Sequence, residues 1–172
     1  NSTLSGNWAT GVRGAGGAIV ATGGGLLVGN STLSGNWAEG VEGSFGGGIF
    51  NLTYEIFIWN TILNAGPSGA NLYQYEDEYE SDPSPVLFHS LGYNLSSDDG
   101  GGFLTDLTDQ INTDPLLGEL ADNGGPTYTH ALEADSPAID TGSAFDLDNY
   151  PIHVATDQRG VMRPQGSGDD IG

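Results

Sequence analysis

Asn1-Ser-Thr-Leu-Ser-Gly-Asn-Trp-Ala9 returns unchanged as Asn30–Ala38, a nine-residue identity at a spacing of 29. The likeness continues beyond it. Gly11-Val-Arg-Gly14 answers Gly40-Val-Glu-Gly43, and Gly17-Ala-Ile-Val20 answers Gly47-Gly-Ile-Phe50, now 30 apart because one residue has been inserted. A weaker third copy opens at Asn60-Thr-Ile-Leu-Asn64. Periods of roughly 20–50 residues mark solenoids, propellers or arrays, so the choice among these decides the fold.

Helical repeats are excluded by glycine. Strings such as Gly23-Gly24-Gly25 and Gly46-Gly47-Gly48 would each cost about 1 kcal/mol per residue against alanine in a helix. Short β-prone pieces lie between them: Ala18-Ile-Val20, Leu26-Leu-Val28, Ile49-Phe50 and Tyr54-Glu-Ile-Phe-Ile-Trp59. Three such pieces per repeat suit one triangular coil of a parallel β-helix, whereas a propeller blade takes about 40 residues and four strands. The expected fold is all-β: a right-handed parallel β-helix with coils over 1–70. An acidic, loop-rich C-terminal part over 71–172 continues or caps the same domain.

In such a stack Asn1, Asn30 and Asn60 fall at one corner about 4.8 Å apart, where amides can donate and accept along the row. Asn7 and Asn36 make a second, shorter row. Asn1, Asn30, Asn51 and Asn94 also begin Asn-x-Ser/Thr triplets, the rival glycosylation reading, but a repeated corner explains the register of Asn1 and Asn30 and a sugar does not. Trp8 and Trp37 repeat too, and are expected to stack as packing residues.

Composition bounds the partners. Three arginines (Arg13, Arg159, Arg163) and no lysine face 23 acidic residues, a formal net charge of -20. Residues 1–38 hold no acid, and 20 of the acids lie from Asn71 onward. So negative a surface repels phosphate backbones and anionic lipid, which argues against nucleic acid and membrane partners. There is no apolar run long enough for a membrane span. Without cysteine, neither disulfides nor thiolate metal sites are available. No basic, apolar leader opens at Asn1, so an export signal is expected to have been removed or to lie upstream.

Beyond about Ser90 the vocabulary changes to Ser90-Leu-Gly-Tyr-Asn-Leu-Ser96, Thr113-Asp-Pro-Leu-Leu-Gly118, Ala121-Asp-Asn-Gly-Gly-Pro-Thr127, His130-Ala-Leu132, Asp135-Ser-Pro-Ala-Ile-Asp-Thr-Gly142 and Thr156-Asp-Gln-Arg-Gly160, closing on Arg163-Pro-Gln-Gly166 and Asp170-Ile-Gly172. This ordered series resembles the C-terminal part of bacterial parallel β-helix repeat proteins of the "choice-of-anchor" type, and more distantly polymorphic outer-membrane protein repeats. The resemblance implies an extracellular or cell-surface location and no established catalytic residues. The cysteines frequent in relatives are absent, and the anchor type is unreadable because the sequence stops where relatives usually continue.

Local chemistry in this part favours loops. Asp122-Asn-Gly-Gly-Pro126 is a turn with φ > 0 available at Asn123, Gly124 and Gly125. Ser136-Pro137 and Tyr150-Pro151 force extended backbone before each proline. Like charges at residues 76–82 favour an exposed loop.

Catalytic signals are weak. Glycoside hydrolysis needs two carboxylates about 5–9.5 Å apart, which 23 acids supply by chance. A lyase would want cations to neutralise an acidic sugar, and Arg13 alone lies in the repeats. His89, His130 and His153 lack metal-ligand spacing. Calcium is the better metal candidate: Asp98-Asp99-Gly100, Asp140, Asp146 and Asp148 sit in turn-rich sequence, without an EF-hand or nonapeptide pattern. No catalytic or cofactor-binding residue is assigned.

The leading functional expectation is a non-enzymatic structural or adhesive surface protein. The alternatives are a carbohydrate-binding module using Tyr73, Tyr75 and Tyr79 on a cell-surface glycan, or a polysaccharide-active lyase or hydrolase. Self-association is also expected. Asn1 opens a full repeat, and residues 1–38 carry neither acid nor proline to protect a strand edge. Either earlier coils precede it, or subunits stack head to tail, a contact that propagates into filaments unless it closes.

Overall fold

The computed structural model describes residues 1–52, 54–75, 87–143 and 154–172. These residues form an all-β protein whose one helical segment is a 3-10 turn at Gly100–Gly102. The first repeat supplies β1 (Thr3–Ser5), β2 (Trp8–Gly11), β3 (Gly14–Ala15), β4 (Ile19–Ala21) and β5 (Leu26–Gly29). The second supplies β6 (Thr32–Gly40), β7 (Ser44–Phe45), β8 (Ile49–Asn51) and β9 (Ile56–Trp59). Then come β10 (Ile62–Ala65), β11 (Leu72–Gln74), β12 (Phe88–Ser90) and β13 (Leu95–Ser96), followed by β14 (Leu117–Ala121) and β15 (Thr129–Leu132).

Strands of successive repeats pair in parallel, in the register that the repeat dictates. Thr3 faces Thr32, Trp8 faces Trp37 and Gly11 faces Gly40, all 29 apart. After the inserted residue the offset becomes 30: Gly14 faces Ser44, Ile19 faces Ile49 and Leu26 faces Ile56. Three short parallel sheets result, with orders β1-β6-β10-β13, β4-β8-β11 and β5-β9-β12; β2 joins β6, and β3 pairs with β7. Parallel pairing crosses residue 70 without a break, since β11, β12 and β13 lie on β8, β9 and β10. The change at Asn71 is one of charge and loop length.

Alternation along each strand sorts the side chains. Leu4, Leu33 and Leu63 align in one inward column; Ile19, Ile49 and Leu72 form a second; Leu26, Ile56 and Phe88 a third. All nine belong to or pack against a single core cluster. Full burial of each leucine, isoleucine or phenylalanine contributes about 1.5–3 kcal/mol. Alternate residues face outward and also stack: the Phe50 and Tyr73 rings lie 5.9 Å apart, and Phe57 and His89 4.9 Å apart. Gly29 is required by this packing, because a Cβ there would sit 2.1 Å from the ring of Trp59, which is 3% exposed.

The repeated asparagine is explained by backbone as well as side chain. Asn30, Asn60 and Tyr93 occupy equivalent positions two residues ahead of Thr32, Ile62 and Leu95, and their φ values are 50°, 44° and 57°. The left-handed region is one that asparagine tolerates better than other non-glycine residues.

The C-terminal part occupies two places. Over the last rung, Phe103 stacks on Phe88 at 4.8 Å and Leu104 enters the core cluster. Other described residues of this part lie along the outer face of the β1-β6-β10-β13 sheet. There Ile62 and Leu95 join Ala138 and Ile171 in a second apolar cluster, with Leu117 and Leu132 against it. β14 and β15 form an antiparallel hairpin around the Asp122–Pro126 turn, with positive φ at Gly124 and Gly125.

Candidate functional site

The outer face of the β1-β6-β10 sheet and the C-terminal segment enclose a groove of about 380 Å³. Thr3, Asn30, Thr32 and Ile62 form its floor; residues 129–132, 157–159, 161–166 and 170–172 form its walls. Long-range bonds hold the walls in place. Thr3 Oγ1 donates to Gln158 Oε1 (2.8 Å), Asn1 Nδ2 donates to the Thr156 carbonyl (2.9 Å), and Gly172 N donates to the Asn60 carbonyl (2.9 Å). Arg163 donates from Nη1 to the Asp170 carbonyl and from Nη2 to the Gly172 carbonyl, which ties the last residues down.

His130 also works at this seam. Its Nδ1 lies 2.7 Å from the Gly118 carbonyl, which requires a proton on Nδ1, and its Nε2 lies 2.9 Å from the Ser5 hydroxyl, from which the neutral ring accepts. That bond joins β15 to β1.

The asparagine corner is only partly as expected. Asn60 Nδ2 donates to Asn30 Oδ1 at 3.2 Å, a true rung. Asn1 does not continue it, because its amide turns to Thr156 instead. The second row forms: Asn7 Nδ2 and N both donate to Asn36 Oδ1, at 2.9 and 3.0 Å. Asn51 and Asn94 are fully buried, so the folded chain offers neither of these two amides to a glycosyl group. Trp8 and Trp37 stack at 6.4 Å with a 16° interplanar angle.

At the last rung the backbone of Gln110 bridges to Leu95 in parallel, and carboxylates take up neighbouring donors. Asp98 accepts from Asn71 N (2.8 Å), Asn71 Nδ2 (3.1 Å), Ser96 Oγ (2.8 Å) and Gly100 N (2.8 Å). Asp109 accepts from Asn94 N and Nδ2, Ser90 Oγ and Asp106 N. Partial burial pushes the Asp98 pKa up, but these four donors outweigh it and hold the carboxyl below its usual range. Asp99 Oδ1 caps the 3-10 turn through Gly101 N.

The calcium candidates are thus spent on backbone amides or scattered. Asp140 Oδ1 accepts from Gly168 N, far from Asp98 in sequence and element. Among the described residues no group of three or more acidic or histidine side chains is placed to hold a metal ion. Asp146 and Asp148 lie outside the described residues, as do His153, Tyr79, the 76–82 stretch and Tyr150-Pro151.

Other candidates disperse as well. His89 pairs with Glu55 on the outer face, and Arg13 pairs with Glu42 at 3.4 Å, both side chains more than half exposed. Arg159 pairs with Asp157 at 2.6 Å. Tyr73 is packed between Phe45 and Phe50, so Tyr75, 37% exposed, is the more open of this pair. Sequence reading missed Ser5, Gln158 and Asp109, which have partners 125, 155 and 15 residues away.

No helix among the described residues is long and apolar enough to cross a membrane. Comparison with protein families, curated proteins and solved structures finds no match to this chain.

Proposed function

We propose that this chain is a right-handed parallel β-helix from an extracellular or cell-surface protein of structural or adhesive, non-enzymatic character. The observation that carries the reading is in-register parallel pairing at the repeat spacing in three sheets. Parallel strands joined by crossovers within one sheet take the right hand in about 98% of cases. Stacking of this kind ties each rung to the next by both backbone bonds and side-chain rows, such as Asn60–Asn30 and Asn36–Asn7. A rod so built suits holding a surface at a distance. The likeness of the segment from Asp114 to Gly142 to choice-of-anchor proteins supports the surface location.

Self-association through coil ends belongs to the same proposal. Sedimentation at rising concentration tests it, and a concentration-independent monomer removes it. The structural reading itself is tested on a panel of plant and bacterial polysaccharides: it expects no turnover, and new reducing ends or unsaturated products would overturn it. A glycan-binding form is favoured by one observation, the polar groove beside the sheet, and a glycan array tests that form.

A further inference from the structure

We propose that the groove between the C-terminal segment and the β1-β6-β10 face binds a neutral saccharide, with the Asn30 amide donating to its hydroxyls and the Asp170 carboxylate accepting from them. The inference rests on the glycan-binding form of the reading above and names its site.

Asn30 supplies the first observation. It lines the groove and is 7% exposed. Its Oδ1 is occupied by Asn60, yet its Nδ2 donates to none of the described residues. In an unbroken row Asn1 would receive that donor, but the Asn1 amide is directed to Thr156. The broken rung leaves at the groove floor an amide N–H that none of the described residues accepts from. A ligand oxygen can accept from it.

Asp170 supplies the complement. Its Oδ1 accepts from Asp140 N at 2.9 Å, and Oδ2 receives no donor from the described residues. Asp170 also lines the groove, as do Val161 and Met162, which are 37% and 61% exposed. Donor, acceptor and an apolar wall are what a sugar presents in reverse: hydroxyls that both donate and accept, and a C–H face. The volume, about 380 Å³, lies within the roughly 300–1,000 Å³ of small-molecule sites.

Charge selects the neutral class. Arg159 is paired with Asp157, while the Arg163 guanidinium, held by the Asp170 and Gly172 carbonyls, keeps its charge and is outnumbered by two carboxylates. Asp140 and Asp170 remain on the wall of a chain with net charge -20. A uronic acid would place its carboxylate beside these two, so acidic sugars are disfavoured.

The chain contains one methionine, Met162, so methyl-¹³C-methionine labelling gives a single resonance that reports on the groove. The intact protein is titrated with maltotriose, cellotriose, xylotriose and chitotriose, and with digalacturonate as the acidic probe. At least one neutral trisaccharide should shift the resonance saturably. Asp170→Asn, which keeps an acceptor for Asp140 N, should weaken that ligand about tenfold. Met162→Gln, at an exposed position, should weaken it severalfold by calorimetry without lowering Tm. A resonance that no neutral sugar moves, or that digalacturonate moves at lower concentration, overturns the site. Calorimetric binding of a sugar with an unmoved methyl resonance leaves glycan binding standing and removes the groove; neither heat nor shift from any probe removes both.

Discussion

Asn60 is the residue at which the repeat, the corner and the C-terminal segment meet, so its replacement by valine measures their coupling. Asn60 is 1% exposed. Its Nδ2 donates to Asn30 Oδ1 and to the Ser143 carbonyl, and its Oδ1 accepts from Ser143 N at 3.0 Å. Asn60→Val leaves three polar groups without partners. The Asn30 oxygen is buried and costs about 1–3 kcal/mol, while the two groups of partly exposed Ser143 recover part of theirs from water. Together they amount to roughly 2–4 kcal/mol. The backbone at φ 44° adds about 1–2 kcal/mol for a side chain that dislikes the left-handed region. The expected loss is about 3–6 kcal/mol of a total on the order of 5–15 kcal/mol, read as a lowered urea midpoint at unchanged m. Asn60→Gly carries the same lost bonds without the backbone term, and should fall about 1–2 kcal/mol short of valine. A loss under about 1 kcal/mol for valine, below even one unsatisfied buried group, would refute the corner argument. Equal losses for glycine and valine would refute its backbone half.

Gly29→Ala should cost about 1–3 kcal/mol, because its methyl group meets the buried Trp59 ring. Near-ultraviolet dichroism should change with it, and an unaltered spectrum and Tm would deny the contact. Asp98 sets an acid limit. Its folded pKa is lowered, so its stabilisation is present above the unfolded value of about 3.9 and is lost as pH falls through the lower folded value. Asp98→Asn should therefore be less stable than the parent at neutral pH, and the gap should narrow below about pH 4. A gap that stays constant down to pH 2 would mean that the carboxylate's charge is not what its four donors recognise.

Much of the strand register was legible because a repeat writes the same environment twice. Leu4 and Leu33, or Ile19 and Ile49, must sit in equivalent places. The one-residue insertion was legible too, but the sequence match of Gly14 with Gly43 put it too late: Gly14 faces Ser44, so the shift from 29 to 30 falls between Gly40 and Ser44. The second asparagine row and the Trp8–Trp37 stack follow from the same logic. What lies outside the repeat left no periodic trace. Thr3–Gln158 and Ser5–His130 span 155 and 125 residues, and nothing in either segment announces the other. Asn1 shares its sequence context with Asn30 but departs from the row because Thr156 competes for its amide. The roles of Asp98 and Asp109 were hidden by abundance. Among 23 acids, only geometry distinguishes the two that accept the unpaired donors of the last rung from those that meet solvent.

The central claim is that neighbours in sequence are not neighbours in the sheets. Nuclear Overhauser contacts in a ¹³C,¹⁵N-labelled sample test it directly. Parallel pairing places Leu27 beside Phe57, Val20 beside Phe50 and Leu33 beside Leu63. The account therefore predicts interstrand Hα–HN contacts between residues 29 or 30 apart, across spacings near 4.8 Å. Strong Hα–Hα contacts joining Ile19–Ala21 to Leu26–Gly29, the signature of an antiparallel hairpin, would contradict it.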